Sequence, residues 1–194
     1  MSLTKRQIEI VKAAAKLIGG KGIQSLTMKN LAAEMGFSEP ALYRHFNGKT
    51  EILVSVLNFY KAILKEEMNE IVESELTGLD KLEKILKFQF NHFSQNPAVV
   101  MVIFAETSFQ YDKVLSETVL KILTHKKMMI EQMVESGQKD GSIREDVEAK
   151  YLASVYMGSM RFTILRWRLN NYNFNLIADG NNLWETIKKL ASKT

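Results

Sequence analysis

The chain has 194 residues, 46% of them hydrophobic, with two prolines, ten glycines and no cysteine. This composition suits a packed, helix-rich protein. It excludes disulfides and thiolate metal sites, so a reducing cytosol is the expected compartment. The formal charge of +4 is unevenly placed: residues 1–54 carry eight lysines and arginines against four acids, and the remainder carries eighteen of each. The whole excess lies at one end, which suits a phosphate-binding module attached to a neutral body.

Thr4 to Ile18 predicts an amphipathic helix with Ile10, Ala14, Leu17 and Ile18 inward, ended by Gly19-Gly20-Lys21-Gly22. Glu9 and Lys12 break its apolar stretch, so it does not read as a signal peptide. Thr27 is an N-cap residue before the short run MKNLAAEM, whose Met28, Leu31, Ala32 and Met35 share one face. Gly36 stops that run, since glycine enters the left-handed conformation at least cost. Ser38 caps a second short helix, expected over Ser38–His45, with Pro40 in its first turn. Leu42 and Phe46 face inward, which leaves Glu39, Ala41, Tyr43, Arg44 and His45 on other faces. Two short helices joined by a tight glycine turn form the helix-turn-helix pattern.

Asn47-Gly48 is a turn pair. A helix over about 49–74 follows, its stripe running through Leu53, Val56, Leu57, Tyr60, Leu64, Met68 and Ile71. Gly48-Lys49-Thr50 resembles the end of a phosphate-binding loop, but Tyr43 stands where that pattern needs glycine, and no strand precedes it. Further helices are expected at about 79–95, 98–107, 114–137, 146–170 and 176–191, the last with a start that Gly180 weakens. The longest apolar run, residues 98–105, is far short of the roughly 18 or more residues of a membrane span. The fold class is therefore all-α, about nine helices, with no convincing strand. Catalysis finds no footing: there is no HExxH, no GxSxG and no glycine-rich nucleotide loop. No metal or cofactor is implied.

The segment from Ile10 to Leu53 resembles the DNA-binding domain of the TetR family of bacterial transcriptional regulators. The matching residues are Ile10, Ala13-Ala14, Leu17, Gly22, Thr27, Leu31-Ala32, Gly36, Ser38, Leu42-Tyr43, His45-Phe46, Lys49 and Leu53, with LYRHF and the following GK the most specific. The match covers about a quarter of the chain. It implies a three-helix DNA-binding domain at 1–50 and a helical effector-binding and dimerisation domain at 51–194. It also implies a ligand-released repressor that binds double-stranded operator DNA as a homodimer. Thr27, Tyr43, His45 and Lys49 are expected to hold the backbone, and Glu39, Ala41 and Arg44 to meet base edges. Lys29, Ser38 and Pro40 complete the expected DNA-facing set.

Two features of the body bear on function. The 146–170 helix carries one apolar stripe through Leu152, Val155, Ser159 and Phe162, and another through Tyr156, Met160, Ile164 and Trp167. A helix buried on two sides packs against its own body and something else. Gly158 is small enough to admit a partner helix. With Leu183, Trp184, Ile187 and Leu190 of the last helix, these residues predict a four-helix dimer interface. For a small apolar or aromatic effector, the candidate pocket residues are Phe88, Phe93, Met101, Phe104, Phe109, Tyr111, Tyr156, Met160 and Trp167, with His92, Glu106 and His125 to orient it. Plain core packing is the competing reading of each. Two other functions stay open: a helical carrier of hydrophobic ligands, and a DNA-binding architectural protein without a small effector.

Overall fold

The computed structural model describes residues 3–105, 109 and 111–193. Among them, nine α-helices follow in order: α1 (Lys5–Lys21), α2 (Met28–Met35), α3 (Glu39–Tyr43), α4 (Lys49–Glu73), α5 (Gly78–Gln95), α6 (Pro97–Ile103), α7 (Lys113–Asp140), α8 (Ala149–Leu169) and α9 (Leu176–Ala191). A single 3₁₀ turn, Ile23–Ser25, joins α1 to α2. The one β-like feature among the described residues is an isolated bridge between Ile143 and Ser192.

The described chain divides into two compact units, Met1–Ile63 with Asn96–Lys121, and Leu64–Gln95 with Ile122–Thr194. The helices α4 and α7 each begin in the first unit and end in the second.

In the first unit α1 packs on α6 and α2. Thr4 starts α1 with a capping box: its hydroxyl accepts from the Gln7 N–H, and the Gln7 side chain accepts from the Thr4 N–H at 3.0 Å. The helix does not stop at the paired glycines but runs to Lys21. Gly19 is needed for contact rather than for a turn, since a Cβ there would lie 2.3 Å from the Cβ of Ala98 on α6. The α6 helix is shorter than the apolar run suggested. It closes at Phe104, whose N–H returns to the Val100 carbonyl. Where the α4 and α7 ends meet, the Thr50 hydroxyl donates to Asp112 at 2.8 Å, and Asp112 accepts the Leu115 N–H at 3.1 Å. Those two bonds, the backbone one first, hold the Asp112 carboxyl below its usual range.

In the second unit α9 packs on both α5 and α8. Gly180 sits inside α9 without fraying it, because a Cβ there would press 2.8 Å into the Phe90 ring. The Tyr156 hydroxyl donates to the Leu82 carbonyl at 2.7 Å, and the Trp167 indole N–H to the Phe174 carbonyl at 3.0 Å. Both aromatics are thereby buried with their polar atoms satisfied. The α8 helix starts at Ala149 rather than near Asp146. Arg144 clasps Asp146 through two bonds of 2.6 Å, which keeps that residue in the preceding turn. The α7 helix passes Gly137 and ends at Asp140, which accepts the N–H groups of Gly78 and Ser142.

Candidate nucleic-acid interface

The reading head is assembled from local caps. The Thr27 hydroxyl accepts the Asn30 N–H at 3.0 Å and opens α2. Gly36 leaves α2 at φ 69° and ψ 29°, the left-handed region. The Phe37 N–H then returns to the Ala32 carbonyl at 2.8 Å, and the Gly36 N–H to that of Ala33 at 3.2 Å. This hairpin sets the start of α3. Its anchors are Leu42 and Phe46, essentially fully buried.

The opposite side of α3 faces outward. Tyr43 is 50% exposed, and Ser38, Glu39, Pro40 and Arg44 are exposed, as are Thr27, the N-cap of α2, and Lys29 within it. Ala41 and His45 are half-buried. The Ser38 hydroxyl makes no capping bond. The helix itself is shorter than expected, Glu39–Tyr43 rather than Ser38–His45. Arg44 keeps helical dihedrals as its cap, so it still projects from the same end. Lys49 is half-buried, with its ammonium 3.5 Å from the Ile23 carbonyl, and so sits beside the 3₁₀ turn rather than free in solvent.

Several supporting contacts were not among the sequence candidates. The Gln7 amide donates to the His45 carbonyl at 3.1 Å and ties the start of α1 to the end of α3. Arg6 stacks over the Phe37 ring at 4.3 Å while pairing with Glu9. Glu51 takes both the backbone and side-chain N–H groups of Asn47 and braces the turn. The spacing Thr4-x-x-Gln7 is a readable capping signal; the cross-helix reach of Gln7 is not.

The pocket candidates divide between the two units. Met101, Phe104, Phe109 and Tyr111 belong to the first, and Phe88, His92, Phe93, His125, Tyr156, Met160 and Trp167 to the second. Glu106 lies outside the described residues. Phe93, Phe104, Phe109, Tyr156, Met160 and Trp167 are buried, and Phe88, His92 and Met101 half-buried. Burial lowers the His92 pKa and raises that of Tyr156 well above the phenolic range. Tyr111 is 92% exposed, carried into solvent by the turn before α7, so it does not stand in the enclosed wall expected of it. His125 is exposed as well.

Within the second unit, one polar cluster stood outside the sequence candidates. The Lys126 ammonium of α7 donates to the Gln89 side-chain oxygen on α5 at 2.5 Å. The Gln89 amide contacts the Met68 sulfur of α4 at 3.7 Å. Lys126 as a whole keeps some exposure, but its charged end is buried. That burial, with a smaller contribution from the Arg161 charge on α8, brings its pKa down to about 7.

The two stripes of α8 separate as expected in part. Tyr156, Met160, Ile164 and Trp167 are buried in the unit's own core. Val155 and Phe162 are 53% and 65% exposed, joined by exposed Tyr151, Gly158 and Leu169. These fall at helical spacing along one side. Ser159 and Leu183 are half-buried, and Leu190 is exposed. Leu152, Trp184 and Ile187 are corrections to the interface set: each is buried within the chain itself, Trp184 beside Leu86 and Phe90 of α5.

Comparison with known proteins agrees with this geometry. Residues 10–56 match the profile of bacterial regulatory proteins of the tetR family, and residues 60–189 that of the YsiA-like protein C-terminal region. The chain is therefore a member of the TetR family of DNA-binding transcriptional regulators, a non-enzymatic family. Regulators of this family bind operator DNA as dimers. Among described residues no helix is long and apolar enough to cross a membrane. Similar relatives include the nucleoid occlusion factor SlmA of Photobacterium profundum, 23% identical over 190 residues, covering 95% of this chain and 94% of that one. The fatty acid metabolism regulator protein of Bacillus subtilis is 21% identical over 182 residues, at 94% and 93% coverage. The solved transcriptional regulator FadR from Bacillus subtilis, in complex with stearoyl-CoA, superposes with a TM-score of 0.82 at 20% identity, covering 93% of this chain and 96% of that one.

Proposed function

We propose that this repressor grips its operator as a homodimer through the outward face of α3, and that an amphipathic acyl molecule releases it. The observation that carries the DNA role is the exposed set Glu39, Tyr43 and Arg44 above the buried anchors Leu42 and Phe46. Tyr43, His45, Thr27 and Lys49 hold phosphates and set the register. Glu39 can accept from cytosine N4, Ala41 can touch a thymine methyl, and Arg44 can grip guanine.

The exposed side of α8 supports the dimer. Tyr151, Val155, Phe162 and Leu169 form an apolar seam, and a Cβ at Gly158 would meet nothing within 4 Å. No packing among the described residues requires that glycine, whereas a second copy of α8 does gain from its small size. Two heads set about 34–36 Å apart then meet successive major grooves.

An acyl effector is supported by the YsiA-like C-terminal region and by likeness to a regulator solved with stearoyl-CoA. Because α4 and α7 run through both units, ligand in the body can shift the heads through these helices, a coupling of about 1–3 kcal/mol. Release of a purified protein–operator complex by palmitoyl-CoA, followed by fluorescence anisotropy, tests this reading; no release at saturating ligand contradicts it. A DNA-binding role without an effector is the second reading, and that same negative result would support it.

A further inference from the structure

The second unit holds a buried cation with no counter-ion among the described residues. Lys126 has three N–H donors and uses one, on the neutral side-chain oxygen of Gln89. Ion pairs of this unit join Lys87 to Glu83, Lys127 to Glu131, Arg144 to Asp146, Lys150 to Glu148, Arg166 to Asp179 and Lys193 to Glu145, and none of these six includes Lys126. The other charge whose field reaches Lys126 is Arg161, of the same sign. Buried charges are ordinarily paired, because an isolated ion loses its hydration without return.

We propose that the Lys126 ammonium, presented by Gln89 and lying in the field of Arg161, receives the anionic oxygen of the acyl effector. The assignment rests on the acyl reading above and adds the residue that recognises the ligand's charge. A carboxylate or phosphate has acceptors for the two unused donors, whereas a neutral chain leaves the ammonium uncompensated.

The position is also placed to report occupancy. Gln89 contacts Met68 of α4 through its amide and Lys126 of α7 through its oxygen. An anion that draws the ammonium away from Gln89 frees that side chain, and both helices it links continue into the first unit.

Two sources offer this chemistry: the carboxylate of a free acid and the phosphates of a coenzyme A thioester. Isothermal titration of the full chain and of K126M and K126Q with palmitate, palmitoyl-CoA and methyl palmitate separates them, with circular dichroism confirming that each variant is folded. The wild-type chain should bind at least one anionic ligand about tenfold or more tightly than the neutral ester. Both variants should lose that advantage and keep the ester affinity. Loss confined to palmitate assigns a carboxylate, and loss confined to palmitoyl-CoA a phosphate. If wild type and variants bind the anionic ligands equally, the Lys126 assignment falls while the acyl effector stands. If wild type binds none of the three, the acyl reading itself fails, and the assignment with it.

Discussion

At the scale of single residues, Tyr43 and Lys126 carry opposite kinds of information. Tyr43 is 50% exposed, and its side chain makes no hydrogen bond among the described residues. Tyr43→Ala should weaken binding to every duplex by about tenfold, a loss of roughly 1–1.5 kcal/mol for one hydrogen bond, and leave the melting temperature and dimer unchanged. Anisotropy on matched and random DNA, with a melting curve, checks both. Lys126 costs stability instead. Its pKa falls from an ordinary 10.5 in the unfolded chain to about 7 in the fold. Between those values the unfolded chain binds more protons, so this group makes stability rise with pH from about 7 toward 10.5, and below about 7 its contribution is flat. K126M should melt higher than wild type at about pH 7 without ligand, and the gap should narrow by about pH 10. A lower melting temperature for K126M would mean that the ammonium is paired in the free protein. Both positions show what sequence can and cannot reveal. Tyr43 was readable because local spacing put Leu42 and Phe46 inward. Lys126 was not, because its neighbour Lys127 has the same chemistry and only helices distant in the chain decide which of the two is enclosed.

At the scale of elements, the glycine turn between α2 and α3 and the outer side of α8 make the sharpest predictions. Gly36 holds φ 69°, so Gly36→Ala should cost about 1–2 kcal/mol and lower DNA affinity by loosening α3; chemical denaturation measures the first, anisotropy the second. Phe162 is 65% exposed on the seam of α8. Phe162→Glu should leave the monomer folded and raise the dimer dissociation constant by about thirtyfold or more, since a central aromatic in an interface is often worth about 2 kcal/mol. Sedimentation velocity at several concentrations reads it, and an undisturbed dimer would remove this seam from the interface. Helix types and order were legible from periodicity and caps. The ends were less so, for reasons lying outside the local sequence. Ala98 turns Gly19 into a contact residue, Arg144 holds Asp146 before α8, and Phe90 occupies the space above Gly180. Likewise, the double apolar stripe of α8 was readable, but Trp184 and Ile187 were assigned to a partner when their own α5 and α8 neighbours already enclose them.

At the scale of the whole molecule, charge and architecture divide the labour. The +4 excess resides in residues 1–54, so electrostatic attraction to DNA belongs to the end that holds α2 and α3. The remaining residues are balanced, which suits a body specialised for packing and for a ligand rather than for nucleic acid. α4 and α7, anchored together by Thr50 and Asp112, extend from the first unit into the second, where the Met68, Gln89 and Lys126 cluster lies. On this account, ligand charge sensed at one end of these helices is expressed as operator affinity at the other.

The most direct test of that account is anisotropy on the duplex that the protein enriches most from a pool of genomic fragments, compared with random duplex over a salt series and then titrated with palmitoyl-CoA. A ligand-released operator-binding dimer should prefer the enriched site by about 10³ or more, lose affinity steeply with salt, and let go of the DNA when ligand is added. Equal, weak binding to enriched and random DNA would contradict this.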